Sequence, residues 1–247
     1  MATRQRKIVF LMMKEGALFK TRQFRDPIYV GDPVNTIKIF NDFQVDELVL
    51  VDADCTAKNE AIKYDLLTTI GNNARMPITY GGGITVINQI KRLLELGFEK
   101  VLISNAAIIN PKLIFEATSI FGSQAVMTCV DLKYCAETKR YDIFTHNGLK
   151  KRDIGLKKFV LNCIESRVGE ILLNSIDADG SYKGLDKKII EHLDVMVPMP
   201  ITLLGGASSN QEVITLMEEN SINVAAGSLW TFYNKTTSVL LNYPQSV

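Results

Sequence analysis

Histidine is almost missing from this chain of 247 residues; only His146 and His192 are present. That excludes a histidine-built metal centre, and the residue types imply neither a metal nor an organic cofactor. Cysteine is also scarce. Cys55, Cys129, Cys135 and Cys163 show no Cys-x-x-Cys spacing, so they read as reduced thiols of a cytoplasmic protein. An excess of charge is lacking too: 28 Lys and Arg stand against 27 Asp and Glu, a formal net charge of +1. No basic field is left for nucleic acid. Long hydrophobic runs are absent as well. The apolar stretch after the basic opening Met1–Lys7 breaks at Lys14 and Glu15, too early for a secretion signal or a membrane span.

What the chain has is a large apolar fraction, 47%, arranged in eight short β-branched segments. These are Ile8–Met13, Leu48–Asp52, Ile78–Tyr80, Val101–Ser104, Ala125–Asp131, Ile171–Ser175, Ile201–Leu204 and Val224–Ala226. They lack polar alternation, as expected of parallel strands buried on both faces. Helical periodicity separates most of them, over Asn35–Phe43, Val86–Leu96, Leu113–Ile120, Leu156–Ser166, Asp186–Leu193 and Asn210–Glu218. Eight such alternations predict an α/β fold, a (β/α)8 TIM barrel of the ribulose-phosphate-binding type spanning residues 1–247. An internal repeat supports it. Glu47–Asp54 aligns with Glu170–Asp177, Pro77–Gly83 with Pro200–Gly206, and Lys100–Asn105 with Asn223–Ser228, all at the 123-residue offset from Glu47 to Glu170. One shared register across three segment ends predicts two half-barrels, about 1–122 and 123–247.

Barrel chemistry belongs at the C-terminal ends of the strands. Glycine pairs there let backbone amides approach an anion closely. Gly82 and Gly83 with Asn105 predict one phosphate cradle; Gly205 and Gly206 with Gly227 and Ser228 predict a second. The alternative is that these glycines serve only tight turns. Asp131 ends an apolar segment, where desolvation would lift its pKa toward that of a general acid or base. Asp52, Asn174, Asp177, Asp179 and Gly180 stand at other strand ends as ligand-contacting candidates. Lys20 is a candidate anion partner, and Lys20–Asp32 reads as a long mobile loop over the mouth. The symmetry breaks at the first segment: the position matching Asp131, at the 119-residue offset, is Met12. A methionine cannot shuttle a proton. At the other end, Arg6, Glu47, Lys100 and Glu170 sit at segment starts. They predict a ring of alternating charge that either plugs the barrel or gates a small molecule.

With these motifs the chain resembles the cyclase subunit of imidazole glycerol phosphate synthase. The stretches that carry the resemblance include Lys14-Glu-Gly16, Gly31-Asp-Pro33, Gly81-Gly-Gly-Ile84, Phe121-Gly-Ser-Gln-Ala125 and Ser175-Ile-Asp-Ala-Asp-Gly180. The resemblance implies a ligand with two phosphates and a class I glutaminase docked on the N-terminal face, which includes Asp46 and Lys100. It also implies ammonia passing through the barrel, with Arg6, Glu47, Lys100 and Glu170 as the gate and Lys20 as a substrate-contacting lysine. Of the family's two catalytic aspartates, one corresponds to Asp131 and the other to Met12. Its usual strand-6 hydroxyl residue corresponds to Asn174. The expected function is therefore a cyclase-like subunit of a glutamine amidotransferase complex in the divergent branch tied to surface polysaccharide. There it conducts ammonia toward a separate sugar amidotransferase that makes acetamidino groups. The alternatives are a lyase forming imidazole glycerol phosphate and AICAR in histidine biosynthesis, and a non-catalytic activator of a glutaminase.

Overall fold

The computed structural model describes residues 4–244. Met1–Thr3 of the basic opening and the last three residues of the expected barrel lie outside that range. Eight parallel strands form the frame: β1 (Lys7–Lys14), β2 (Glu47–Asp52), β3 (Ile78–Gly81), β4 (Lys100–Ile103), β5 (Val126–Cys135), β6 (Glu170–Ser175), β7 (Ile201–Leu204) and β8 (Asn223–Ala226). Each pairs with the next. β8 returns to β1 through Lys7↔Val224, Ile8↔Ala225 and Val9↔Ala226, so the sheet closes. The (β/α)8 TIM barrel read from the sequence is the fold observed.

The two apolar faces of each strand have separate partners. Ile8, Val49, Leu102, Met127, Cys129, Leu172, Leu204 and Ala225 fill the interior as one cluster, capped by Phe10 and Val51. Alternate residues such as Val9, Leu48, Leu50, Val101, Ile171 and Val224 join a larger shell with Phe40, Leu93, Ile114 and Phe159 from the surrounding helices. That two-sided burial is why the strands show no polar alternation.

Helices occur at Pro33–Asp42, Ile87–Glu95, Pro111–Phe121, Leu156–Glu165 and Asn210–Asn220, close to the periodic stretches. Tyr64–Asn73 is a further helix that the sequence reading did not name; it buries Leu67 and Ile70 and carries Thr68, Thr69 and Gly71. The helix expected over Asp186–Leu193 shrinks to a single turn, Lys188–Glu191. After the turn Ser228–Thr231 no eighth long helix forms among the described residues. The chain folds back on itself instead through a bridge of Phe232 with Val239, and Trp230, Phe232 and Tyr243 are buried. The Tyr243 hydroxyl donates to the Lys7 carbonyl at 2.8 Å and accepts from the Asp46 amide at 3.1 Å, tying this segment to the barrel floor.

The expectation of a long mobile loop over Lys20–Asp32 is corrected. Ala17–Arg22 and Arg25–Gly31 form an antiparallel hairpin continuing from β1, with Met12 opposite Phe19. Its tip is fastened: the Gln23 amide donates to the Asp179 carbonyl at 3.0 Å and the Thr21 hydroxyl to the Asp179 carboxylate at 3.1 Å. β5 likewise runs on into a hairpin with Arg140–Thr145. Among the described residues, no helix is long and apolar enough to cross a membrane.

Candidate active site

The strand register places the barrel floor first. Glu47 and Glu170 open β2 and β6 and are almost wholly buried. Arg6 forms ion pairs with both, to Glu47 Oε2 and, at 2.6 Å, to Glu170 Oε2. Lys100 also reaches both, at 2.9 Å and 3.2 Å. Thr79 donates to Glu47, while Thr202 and Asn223 donate to Glu170. Burial alone would lift the Glu170 carboxyl; Lys100, Arg6 and the Thr202 hydroxyl outweigh it and hold the pKa below its ordinary value. All four ring residues named from the sequence are thus brought together. Below them opens a cavity lined by Arg4, Arg6, Asp46, Lys100, Gln124 and Glu170. Above them stands the apolar interior cluster.

At the opposite end, the glycines hold their strained shapes for a visible reason. Gly82 has φ +122° and Gly205 φ +105°. A Cβ on Gly82 would lie 2.5 Å from the Asp52 carbonyl oxygen, and one on Gly205 2.6 Å from that of Ser175. The backbone crosses the neighbouring strand end too closely for any side chain. Tight turning is therefore part of what these glycines do, and it also sets them in the walls of open cavities. Gly82, Gly83, Asn105, Asp52 and Asp131 line one cavity of about 640 Å³. Gly205, Gly206, Gly227, Ser228, Gly180 and Asp179 line another, smaller one with Lys20. Lys20 is buried, its ammonium donating to the Phe10 carbonyl at 3.0 Å. Burial pushes its pKa down, with Asp179 opposing. Asp177 stands apart: it is exposed, and its carboxylate accepts from the Tyr134 amide at 3.0 Å.

A third cavity, mostly apolar, adjoins the wide one and is lined among others by Phe10, Met12, Val51, Cys129, Asp131 and Asn174. Burial pushes the Asp131 carboxyl up to about 6, Asn174 opposing and Asp179 adding to the rise. It is poised to take or give a proton near neutral pH. Asn174, directly beside it in register, donates to Asp131 Oδ1 at 2.8 Å. Met12 forms part of the same wall, so the structure sets a thioether where a second carboxyl would share the cavity. Asp52 is the N-cap of the short helix Ala53–Ala57, accepting from the Asp54 amide at 3.1 Å, while its Oδ2 is buried without a partner.

Sequence reading missed the hairpin residues that wall the wide cavity. Thr145, His146 and Asn147 line it, and Arg152 bonds both Thr145 and Asn105. Asn147-Gly148 between two strand-like runs is a hairpin signal that could have placed them.

Comparison with known proteins agrees with this geometry. The family model described as "Histidine biosynthesis protein" matches residues 8–237. The chain is 42% identical to the "Putative imidazole glycerol phosphate synthase subunit HisF" of Leptospira borgpetersenii, over 98% of this chain and 95% of that one. It is 33% identical to the "Imidazole glycerol phosphate synthase subunit HisF" of Bacillus subtilis (strain 168), over 95% and 93%.

Proposed function

The chain belongs to the histidine-biosynthesis protein family, among the HisF-type imidazole glycerol phosphate synthase subunits, and from that premise we propose that it is an ammonia-using synthase subunit. A glutaminase docks at the cavity beneath the charged floor, and ammonia crosses the barrel to a phosphorylated acceptor held at the mouth. The observation that carries this reading is the order of the layers along the barrel axis. A ring of two carboxylates and two cations closes the floor, an apolar interior follows, and the proton-transfer group Asp131 faces the far end. Neutral ammonia partitions into such an interior far more readily than ammonium, whose desolvation is costly.

The comparisons favour the formation of imidazole glycerol phosphate as the reaction, ahead of the polysaccharide role expected from the sequence. A second reading is kept because of one residue. Met12 leaves Asp131 as a lone carboxyl in its cavity, and losing an acid–base partner typically costs roughly 10²–10⁴-fold in rate. In that reading the subunit passes ammonia to another acceptor, a surface-polysaccharide sugar held by a separate amidotransferase.

The deciding experiment is ammonium-dependent turnover of the ribulosyl intermediate by the purified chain, read as imidazole glycerol phosphate. Robust turnover supports the first reading. Absence of turnover by a folded, ligand-binding chain supports the second. Failure of a glutaminase to bind or to deliver ammonia through the chain would overturn both.

A further inference from the structure

Asn174 is buried at the end of β6, with only 4% of its surface exposed. Its Nδ2 donates to Asp131 Oδ1 at 2.8 Å. Its own Oδ1 is buried and has no hydrogen-bond partner. A buried amide oxygen left this way wants a donor from a ligand or from a rearrangement. A half-turn of the amide is such a rearrangement, since its two ends are nearly alike in shape. Asn174 lines the cavity it shares with Met12 and Asp131, and Gly205 bears no Cβ on the side where Oδ1 lies, 3.4 Å from where one would stand.

An asparagine amide has two ends of nearly equal shape and opposite hydrogen-bonding character. While Asp131 is ionised it can only accept, so the amide NH2 must face it and Oδ1 is left for the ligand. Once Asp131 is protonated, its O–H becomes a donor. A half-turn of the amide then pairs Oδ1 with that O–H and presents NH2 to the cavity. We propose that Asn174 is a positioning residue whose hydrogen-bonding polarity reverses with the protonation state of Asp131, offering the ligand an acceptor in one state and a donor in the other.

A serine or threonine hydroxyl at this place could rotate its single hydrogen and would impose no such exchange. The ligand suited to the acceptor state is a small N–H donor, with ammonia as the simplest case; that identity alone rests on the proposed function. Among the charged and titratable groups around Asp131, Asp179 raises its proton affinity, Asp52, Cys55, Glu60 and His146 share the wide cavity, and Lys14, Lys58 and Asp54 line the apolar one beside the Cys129 thiol.

The test is an NMR titration of the full chain, with aspartate carboxyl carbons and asparagine side-chain nitrogens labelled and no substrate added. The Asp131 carboxyl and the Asn174 amide signals are expected to move together, with one midpoint near pH 6. Asn174→Leu loses the bond in both states, and the charge-assisted bond to the carboxylate is the stronger, so the Asp131 midpoint should rise, equivalent to roughly fivefold tighter proton binding. Asn174→Ser, which keeps a rotatable donor, should stay closer to the unsubstituted chain. Amide signals that do not move through the Asp131 titration would overturn the proposal, as would an unchanged midpoint in the leucine variant. Should the leucine variant not fold, the amide signals of the unsubstituted chain decide alone. Because no substrate is involved, a failed turnover assay leaves this result standing, and the converse also holds.

Discussion

Glu47 and Glu170 share the same two cations: Arg6 and Lys100 each form an ion pair with both carboxylates on the barrel floor. Neither charge pair is separable from the other. Removing one carboxylate leaves two half-buried cations on the remaining, buried one. Glu170→Ala should therefore lower unfolding stability by about 3–5 kcal/mol, the usual cost of breaking a buried pair. Urea denaturation measures it. A loss under 1 kcal/mol, about what a surface ion pair is worth, would show that the ring is not the tightly coupled network seen here.

Gly205 and Gly97 make a controlled pair. Both have positive φ, +105° and +93°, but a Cβ meets the Ser175 carbonyl at 2.6 Å in the first and nothing within 4 Å in the second. Gly97→Ala should cost about 1 kcal/mol from conformation alone. Gly205→Ala should cost about 2–4 kcal/mol, because backbone must shift as well. Thermal unfolding of the two variants side by side separates the two effects; equal losses would refute the role assigned to close approach.

Asp131 makes the fold sensitive to pH in an unusual direction. Its folded pKa, about 6, lies above the ordinary aspartate value near 3.8. Between those values the folded chain binds more protons than the unfolded one, so stability falls as pH rises from about 4 to about 6. Asp131→Asn should thus stabilise the protein above pH 6, by up to about 3 kcal/mol. The gain should vanish below pH 4. A gain independent of pH would show that the carboxyl charge is not its source.

Met12→Asp restores a second carboxyl to the apolar cavity facing Asp131. If imidazole glycerol phosphate is the product, ammonium-dependent turnover should rise by roughly 10²–10⁴-fold. Stability should drop by about 1–3 kcal/mol, since an apolar wall receives a polar group. An unchanged rate with a normal fold would indicate that the missing carboxyl is not what limits this reaction.

The barrel was legible because its strands must be apolar on both faces and its helices on one. Ile8–Met13, Ile171–Ser175 and their counterparts show this directly, and the placing of Arg6, Glu47, Lys100 and Glu170 at segment starts pointed to the ring. Tyr64–Asn73 escaped notice because Thr68, Thr69, Gly71, Asn72 and Asn73 are poor helix formers in sequence. The mouth hairpin was read as a mobile loop because its sequence shows no clear strand alternation; its two strands pair with each other, and Asp179, distant in sequence, fastens its tip. Residue identity by itself determined that Met12 cannot transfer a proton and that Asp131 can. Tertiary structure alone decided that Asn174 would hold Asp131, that Asp177 would bond the Tyr134 amide, and that Arg152 would reach Asn105. Those relations depend on which strand ends lie side by side once the sheet closes, a long-range constraint that no local pattern of residues records.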